Sequence, residues 1–169
     1  MIDVSKLSNQ FSVRRLDDED ADIILHLCGG NPMYYHYCRT ELTREQVLAD
    51  LHALPPGIGA EDKYYTGFFR DQELVAVMDL IDGYPESDYG FIGFFMMNAA
   101  LQGREIGSGI IQEVCAYLKQ TGKRAVRLGI AKDNPQATRF WKKNGFLVIR
   151  EAARDGWTVL VAEKRLEEL

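Results

Sequence analysis

A glycine-rich segment that joins an apolar strand to an apolar helix constrains this chain more than any other feature. Its residues are Gln102-Gly103-Arg104-Glu105-Ile106-Gly107-Ser108-Gly109. The run from Tyr89 to Met97 before it is typical of a strand, and apolar residues recur every four positions after it, as in a helix that ends before Gly122. The first N–H groups of a helix lack intrahelical partners, and the helix dipole adds positive potential there. The segment is therefore a candidate phosphate-binding loop.

Two nucleotide-binding loops do not match this segment. A P-loop needs Gly-Lys-Ser/Thr at its end, which the chain lacks at the required spacing. A dinucleotide fingerprint needs a third glycine where the chain has Gln112. The segment instead resembles the [QR]-x-x-G-x-[GA] loop that holds the pyrophosphate of coenzyme A, with Gln102 first and Glu105 at the place of its first glycine. A shifted register from Arg104 to Gly109 also satisfies the pattern.

A second motif follows thirty residues later, between Asn134 and Phe146. Asn134 is a typical N-cap, Pro135 suits the first helical position, and Gly145 lies just past the end of the predicted helix. The string resembles the N-x-x-A-x-x-F-[YW]-x-K-x-G-F helix of the GNAT acetyltransferase superfamily. Together with the loop, the resemblance covers residues 89 to 146 well and says little about the first 60 residues. On its own, the string is also typical of a short surface helix whose aromatic residues join the core.

The resemblance implies an α/β fold, classed as α+β in some schemes. In the GNAT fold, a mixed central sheet of six to seven strands has helices on both faces, and the strands at Tyr89 to Met97 and Val126 to Ala131 splay apart around pantetheine. Hydrophobic periodicity predicts the same order of elements, and the length suits a single domain over residues 1–169. The other predicted elements are the strands Phe11 to Leu16, Lys63 to Phe69, Leu74 to Ile81, Phe146 to Ala152 and Trp157 to Ala162, the last two joined at Asp155-Gly156, and the helices Asp18 to Leu27 and Thr43 to Leu54.

The resemblance also implies acetyl-CoA (coenzyme A) as the cofactor. The residues that it implies for cofactor binding are Met97, Gln102, Gly103, Arg104, Glu105, Ile106, Gly107, Ser108, Asn134, Phe140 and Trp141. Charge favours a phosphate ligand independently, because residues 101–169 carry 13 Lys and Arg against 8 Asp and Glu, whereas residues 1–100 carry 7 against 17. Candidates to contact the phosphates are Arg104, Arg139, Lys142 and Lys143, with solvated helix faces as the alternative. The acidic half favours a cationic acceptor and disfavours nucleic acid as a partner.

Acyl transfer from a thioester to an amine needs a base, because an ammonium group has no lone pair. The strand from Tyr89 to Asn98 contains no acid, although many relatives in the superfamily place a glutamate there. Asp79, inside the apolar run Val75 to Ile81, is the catalytic candidate, since desolvation raises the pKa of an unpaired carboxyl group. A buried structural aspartate bonded to backbone N–H groups is the competing interpretation. Glu86 and Asp88 are weaker candidates, because they lie in a loop.

The acid that usually protonates the leaving thiolate is missing. Many GNAT enzymes use a tyrosine after the phenylalanine of the second motif, where this chain has Trp141. An indole donates a hydrogen bond but cannot act as an acid near neutral pH. Either Tyr35, Tyr84 or Tyr89 supplies the proton, or the thiolate leaves unassisted, stabilised by backbone N–H groups.

The acceptor pocket has no motif of its own. GNAT proteins commonly build it between their first two helices, where this chain has an aromatic segment. Tyr34 and Tyr35 are the candidate substrate-binding residues, because aromatic faces attract cations. Packing of these loop tyrosines onto the sheet is the alternative.

Composition and local sequence patterns indicate the expected cellular location of the protein and whether it binds a membrane or a metal. The amino terminus lacks a basic region followed by an apolar stretch, no apolar run could span a bilayer, and three cysteines imply no even disulfide framework. We therefore expect a cytoplasmic protein without membrane attachment. His26-x-Cys28 and His36-x-Cys38 could suggest zinc, but ligands two residues apart on a helix point to different sides, so we expect no metal site. The oligomeric state stays open between monomer and homodimer.

The combined motifs predict an N-acetyltransferase. It would transfer an acetyl group from acetyl-CoA to the amine of a small molecule or peptide by direct attack in a ternary complex. The alternative is a GNAT-fold sensor or interaction protein that binds coenzyme A without turnover. Glu105 in the loop and Trp141 at the acid position prompt that alternative.

Overall fold

The computed structural model describes residues 1–154 and 156–166, which form one sheet flanked by helices. The strands are β1 (Ser12–Arg15), β2 (Lys63–Arg70), β3 (Glu73–Asp82), β4 (Tyr89–Met97), β5 (Ala125–Ala131), β6 (Leu147–Arg154) and β7 (Trp157–Arg165). The α-helices are α1 (Ala21–Gly29), α2 (Pro32–Cys38), α3 (Arg44–His52), α4 (Ile106–Gln120) and α5 (Pro135–Lys143). Within the described ranges, no helix combines the length and the apolar character that a membrane span requires.

The described strands lie in the order β1-β2-β3-β4-β5-β7-β6, and β4 and β5 are the pair that runs parallel. This seven-stranded mixed sheet confirms the predicted fold class. The parallel ladder is short, because Tyr89 to Ile92 pair with Ala125 to Leu128 and the pairing ends there. The carboxyl-terminal parts of β4 and β5 are therefore free to hold a ligand between them, as the predicted splay requires.

Helices cover both faces of the sheet, because the central strands present apolar side chains to both sides. On β3, Met78 and Leu80 point to the face that α4 covers with Ile110 and Leu118. Val77 points to the opposite face, where α1 and α3 pack. All five side chains are buried. Alternation along one apolar strand thus builds two cores, one on each side of the sheet.

The aromatic segment between the first two predicted helices folds differently from expectation. The sequence indicates a loop there, and this prediction is wrong, since residues 32–38 form α2. Pro32 occupies the first helical position, where its fixed φ and missing N–H group cost nothing. Arg39 ends the helix in the left-handed region, with φ of 53°. The proposed acceptor wall, with Tyr34 and Tyr35, is therefore helical.

Other element ends differ only slightly from prediction. Thr43 caps α3 as predicted, because its side chain accepts a hydrogen bond from Gln46 N at 3.0 Å. The helix ends at His52, earlier than predicted, and residues 18–20 form a 3-10 turn ahead of α1. β6 and β7 pair antiparallel, in agreement with the predicted hairpin, whereas Asp155 of its turn lies outside the described residues.

Candidate active site

The glycine-rich loop presents a row of unpaired backbone donors. Among the described residues, none accepts a hydrogen bond from the backbone N–H groups of residues 103–108, and Gly109 N makes the first bond of α4, to Glu105 O at 3.1 Å. Gly103 and Glu105 have φ of 78° and 62°, in the left-handed region, which lets the chain turn sharply into the helix. Free donors at the positive end of a helix dipole suit an anion such as a phosphate group.

A groove of about 380 Å³ lies beside this loop. Its walls are the end of β4, the start of α2, the loop itself and one face of α5. The residues singled out in the sequence that line it are Met97, Gln102, Gly103, Glu105, Gly107, Ser108, Asn134, Phe140, Trp141, Lys143 and Tyr34. Arg104, Ile106, Tyr35 and Asp79 are not part of its lining. The groove thus brings together the two sequence motifs and reaches α2 on the acceptor side.

Aromatic side chains form the apolar wall of the groove. The Trp141 ring lies edge-on to Phe95, Phe140 and Phe146, with centroids 6.0, 5.0 and 5.2 Å away. Gly107 fits closely against this wall, since a Cβ atom there would lie 3.3 Å from the Phe140 ring. The aromatic stripe of the second motif therefore belongs both to the core and to the groove.

Two asparagines hold α5 in position against α4. Asn134 caps α5, because its Oδ1 accepts a hydrogen bond from Ala137 N at 3.1 Å. Asn144 Nδ2 donates to Ser108 Oγ at 3.1 Å and to Phe140 O at 2.9 Å. Asn144 was not singled out by its sequence context, because it stands at a variable place of the motif. Its contact with Ser108 fixes the distance between the two motifs.

The side chain of Gln102 points to the junction of α1 and α2. Its Nε2 donates to Asn31 Oδ1, and Asn31 Nδ2 donates to Leu27 O at 3.2 Å and to Met97 O at 3.0 Å. Asn31 therefore ties the glycine-rich loop, β4 and the end of α1 together. Sequence reasoning missed this role, although Asn-Pro is a typical helix start.

Glu105 forms an ion pair across the mouth of the groove. Lys143 Nζ, at the end of α5, donates to Glu105 Oε1. The two side chains are 54% and 68% exposed, so the pair lies in solvent. Both residues line the groove. The carboxylate of the loop is thus directed to a cation rather than to the free N–H groups.

Asp79 forms a buried ion pair with Lys63, the first residue of β2. Lys63 Nζ donates to Asp79 Oδ2 at 2.9 Å and to Ala53 O at 2.8 Å, and the two charged side chains are 6% and 15% exposed. Burial raises the pKa of Asp79, Lys63 opposes that rise, and Asp50 adds to it. Sequence reasoning missed Lys63, because it stands at the start of a strand where lysine is usually solvated. Asp79 is therefore paired with a lysine rather than with backbone N–H groups, and its catalytic role stays a prediction.

A bulge in β4 lies directly against this carboxylate. Asp79 pairs with Phe94 and Leu80 pairs with Ile92, so Gly93 is the extra residue of β4. A Cβ atom at Gly93 would come within 2.9 Å of Asp79 Oδ2, which no ordinary contact allows. Gly93 is also exposed. The missing side chain therefore leaves room for Asp79 Oδ2 beside Gly93, at the point where β4 parts from β5, while Asp79 Oδ1 is buried without a hydrogen-bond partner among the described residues.

The tyrosines suggested by the sequence lie at three different places. Tyr34 lines the groove and packs edge-on against Tyr35 and Phe94, with ring centroids 5.0 and 5.3 Å away. Burial raises the pKa of both Tyr34 and Tyr35. Tyr84 packs edge-on against Phe91, and Tyr89 lies under two arginines at the far end of β4. None of the three candidate acids, Tyr35, Tyr84 and Tyr89, lines the groove.

The site contains no evident metal centre. Within the described part of the chain, no three His, Cys, Asp or Glu side chains lie close enough together to hold a metal ion. The expectation of a metal-free site stays a prediction.

Comparison with known proteins identifies relatives of this architecture. The sequence model described as Acetyltransferase (GNAT) family matches residues 31–146. An acetyltransferase from Thermus thermophilus has a TM-score of 0.75 at 24% identity, over 92% of this chain and 97% of that one. The PaiA N-acetyltransferase from Thermoplasma acidophilum, in complex with coenzyme A, has a TM-score of 0.65 at 19% identity, over 92% and 98%. A spermidine N-acetyltransferase chimera of Vibrio cholerae SpeG and hSSAT has a TM-score of 0.70 at 15% identity, over 94% and 97%.

Among curated proteins, the comparison finds no match for this sequence. At identities below 25%, the solved structures establish the fold, whereas the family match covers more than half of the chain. GNAT acetyltransferases use acetyl-CoA, and the free donors and apolar wall of the groove suit its pyrophosphate and pantetheine. The chain belongs to the GNAT family of acetyltransferases.

Proposed function

We propose that this chain transfers the acetyl group of acetyl-CoA to the amine of a small molecule or peptide, by direct attack within a ternary complex. One observation carries the proposal. The groove runs from the glycine-rich loop to Phe95 on β4, and Gly93, two residues before Phe95 in the β4 bulge, places no side chain against the Asp79 carboxylate. A donor held in the groove and an acceptor held against α2 would meet beside that carboxylate.

The residues of the groove fit coenzyme A. The free N–H groups of residues 103–108 would bind its pyrophosphate, with Lys143 as a nearby cation. Phe140 and Trp141 would flank pantetheine along the apolar wall. When bound, acetyl-CoA supplies an acetyl group activated as a thioester. The proposed cofactor-binding set is therefore the one expected from the sequence, with Arg104 and Ile106 at its margin because they do not line the groove.

Asp79 is the proposed general base. An ionised carboxylate oxygen has two lone pairs, and Lys63 occupies one on Oδ2. The other can accept the proton of the acceptor ammonium, directly or through a water molecule, at the gap that Gly93 leaves. Lys63 opposes the rise in the pKa of Asp79 that burial causes, because a cation at 2.9 Å favours the charged form. Phe94 pairs with Asp79 between β4 and β3 and packs edge-on against Tyr34, so it contacts both the proposed base and the proposed acceptor wall.

The leaving thiolate is proposed to depart without a side-chain acid. Trp141 stands at the position of the usual tyrosine, and the candidate tyrosines do not line the groove. Backbone groups of β4 beyond Ile92 have no ladder partner on β5. Their N–H groups can stabilise negative charge in the gap between the strands, which is how backbone donors commonly assist acyl transfer.

A cationic amine is the proposed acceptor. Residues 1–100, which build the acceptor face, carry 17 acidic against 7 basic residues. Lys63, the buried cation of that face, is neutralised by Asp79. Tyr34 and Phe94 offer ring faces and edges beside the groove, and aromatic faces attract cations. Tyr35 packs behind Tyr34 and would shape the pocket indirectly.

Binding and turnover measurements test the two parts of the proposal separately. In calorimetric unfolding, coenzyme A at ~100 times its Kd should raise the free energy of unfolding by ~2.7 kcal/mol, whereas NAD and ATP should not. Release of free thiol from acetyl-CoA should then depend on one class in a panel of polyamines, amino acids, aminoglycosides and peptides. Absence of binding would refute the cofactor assignment.

The sensor hypothesis predicts a different pair of results. Coenzyme A would bind, and no amine in the panel would release thiol. Thiol release that depends on one amine class would exclude that hypothesis. A cytoplasmic location and a single domain over residues 1–169 stay predictions, which cell fractionation and limited proteolysis would test.

A further inference from the structure

A carboxylate in a phosphate-binding loop needs a physical explanation. Glu105 stands at the N-cap of α4 with φ of 62°, a conformation that glycine adopts more readily than glutamate. Its side chain makes no cap hydrogen bond. The backbone therefore does not require glutamate at this position, and neither does the helix end. Within the described part of the chain, the interaction that remains for this side chain is its ion pair with Lys143.

The ion pair spans the part of the groove where phosphate is expected. Glu105 precedes the first turn of α4, and Lys143 ends α5. Their contact joins the two motifs across the mouth of the groove, and both side chains line it. A phosphate bound to the free N–H groups of residues 103–108 would lie beside this pair. It would attract Lys143 and repel Glu105.

Exposure decides how firmly the pair is held. With 54% and 68% of their side chains exposed, Lys143 and Glu105 can separate at little cost, because exposed ion pairs are weak. The ammonium group can therefore move from the carboxylate to a phosphate. Binding would leave Glu105 without its cation and close to new negative charge.

We propose that Glu105 competes with coenzyme A for Lys143 and thereby lowers the affinity for the coenzyme. The inference rests on the proposed function, because it takes the groove as the coenzyme site. Glu105 then acts as an internal anion that holds Lys143 in place in the free protein and promotes release of the spent coenzyme. The lowered affinity for coenzyme A would arise from Glu105, which stands where the loop pattern that this segment resembles has glycine.

Calorimetric titration with coenzyme A and with pantetheine tests the proposal without turnover. The Glu105→Gln variant should bind coenzyme A roughly fivefold more tightly, the size expected for one exposed charge pair. Its affinity for pantetheine, which has no phosphate, should not change. The gain should disappear at about 1 M salt, where the Debye length is about 3 Å.

A matched control and a second variant make the result decisive. Glu151→Gln removes a carboxylate from another exposed pair, Lys132 with Glu151, and should leave the coenzyme affinity unchanged. In a Lys143→Met background, Glu105→Gln should give a smaller gain, because no cation remains to be released. An unchanged or weaker affinity in Glu105→Gln, a gain shared by pantetheine, or an undiminished gain in the Lys143→Met background would each overturn the proposal. A wild-type chain that does not bind coenzyme A would instead refute the proposed function itself.

Discussion

The proposed coenzyme side and the proposed acceptor side of the molecule offer their polar groups from different parts of the chain. On the coenzyme side, the donors are backbone N–H groups of residues 103–108, which require left-handed or glycine residues at fixed spacing. On the acceptor side, the polar groups are the side chains of Lys63 and Asp79, which meet across β2 and β3. A site built from backbone N–H groups requires particular residues at fixed spacing, and those residues form a recognisable motif in the sequence. A side-chain pair across strands leaves none, so only one half of the site has a motif.

This comparison predicts that a substitution on one side changes the function of that side and leaves the function of the other side unchanged. The largest effect is expected from Asp79→Asn, which removes the proposed base. Its kcat should fall by about 10²- to 10⁴-fold, the usual contribution of a positioned base, while the Kd of coenzyme A stays unchanged because Asp79 does not line the groove. Thiol release and calorimetric titration measure the two quantities. A coenzyme affinity that falls together with kcat would contradict the separation.

A matched control for this variant lies on the same strand. Asp82 pairs with Lys123, and the two side chains are 12% and 15% exposed, so Asp82→Asn breaks a similar pair outside the site. Breaking either buried pair should cost about 3–5 kcal/mol of stability. Replacing both Lys63 and Asp79 by Met and Leu should restore most of that stability and none of the activity. Restored activity would remove Asp79 from the mechanism.

The next effect concerns the pH dependence of the acceptor side. In Lys63→Met, desolvation of Asp79 is no longer opposed, so its pKa rises further. Because the base must be ionised, the acidic limb of the kcat/KM profile should move to higher pH. A profile that does not move would mean that Asp79 is not the titrating base.

Stability supplies an independent check on the same variant. The folded-state pKa of Asp79 lies above its unfolded value. The contribution of Asp79 to the free energy of unfolding is therefore fully present below the unfolded pKa and is lost as the pH rises through the folded pKa. Lys63→Met should extend that loss to higher pH. Denaturant unfolding at a series of pH values would detect it.

The same contrast explains what the sequence could predict. The order of the elements along the chain follows from periodicity, because that feature is local, whereas the splay between β4 and β5 and the meeting of both motifs were implied by the resemblance to GNAT proteins. The roles of Lys63, Gly93 and Asn31 could not be predicted from the sequence. Their roles depend on the β4 bulge and on which strands and helices are neighbours, and a single sequence contains neither. The helix at residues 32–38 was missed because its aromatic residues show no helical period.

The coenzyme side can be disturbed alone at Gly107. A Cβ atom there would lie 3.3 Å from Phe140 and 3.4 Å from Met97, so Gly107→Val should overfill the groove wall and cost about 1–3 kcal/mol of stability. The Kd of coenzyme A should weaken, while kcat at saturating donor changes little. Gly109→Ala is the control, because the nearest atom there lies 4.0 Å away and the change should stabilise α4 by about 0.5–1 kcal/mol. Equal losses of coenzyme affinity in both variants would contradict this account.

The smallest effect comes from a matched pair of helix caps, one on each side. Thr43 caps α3 through Gln46 N, and Asn134 caps α5 through Ala137 N, at 3.0 and 3.1 Å. Changing either to Ala should lower the free energy of unfolding by about 1 kcal/mol. Only Asn134→Ala should also weaken coenzyme binding, since Asn134 lines the groove and holds α5 beside Trp141. Chemical denaturation of both variants measures the loss of stability, and calorimetric titration measures their affinity for coenzyme A. The two sides are thus compared at the same loss of stability. If Thr43→Ala weakens coenzyme binding as much as Asn134→Ala does, the two sides are coupled through the sheet and do not act separately.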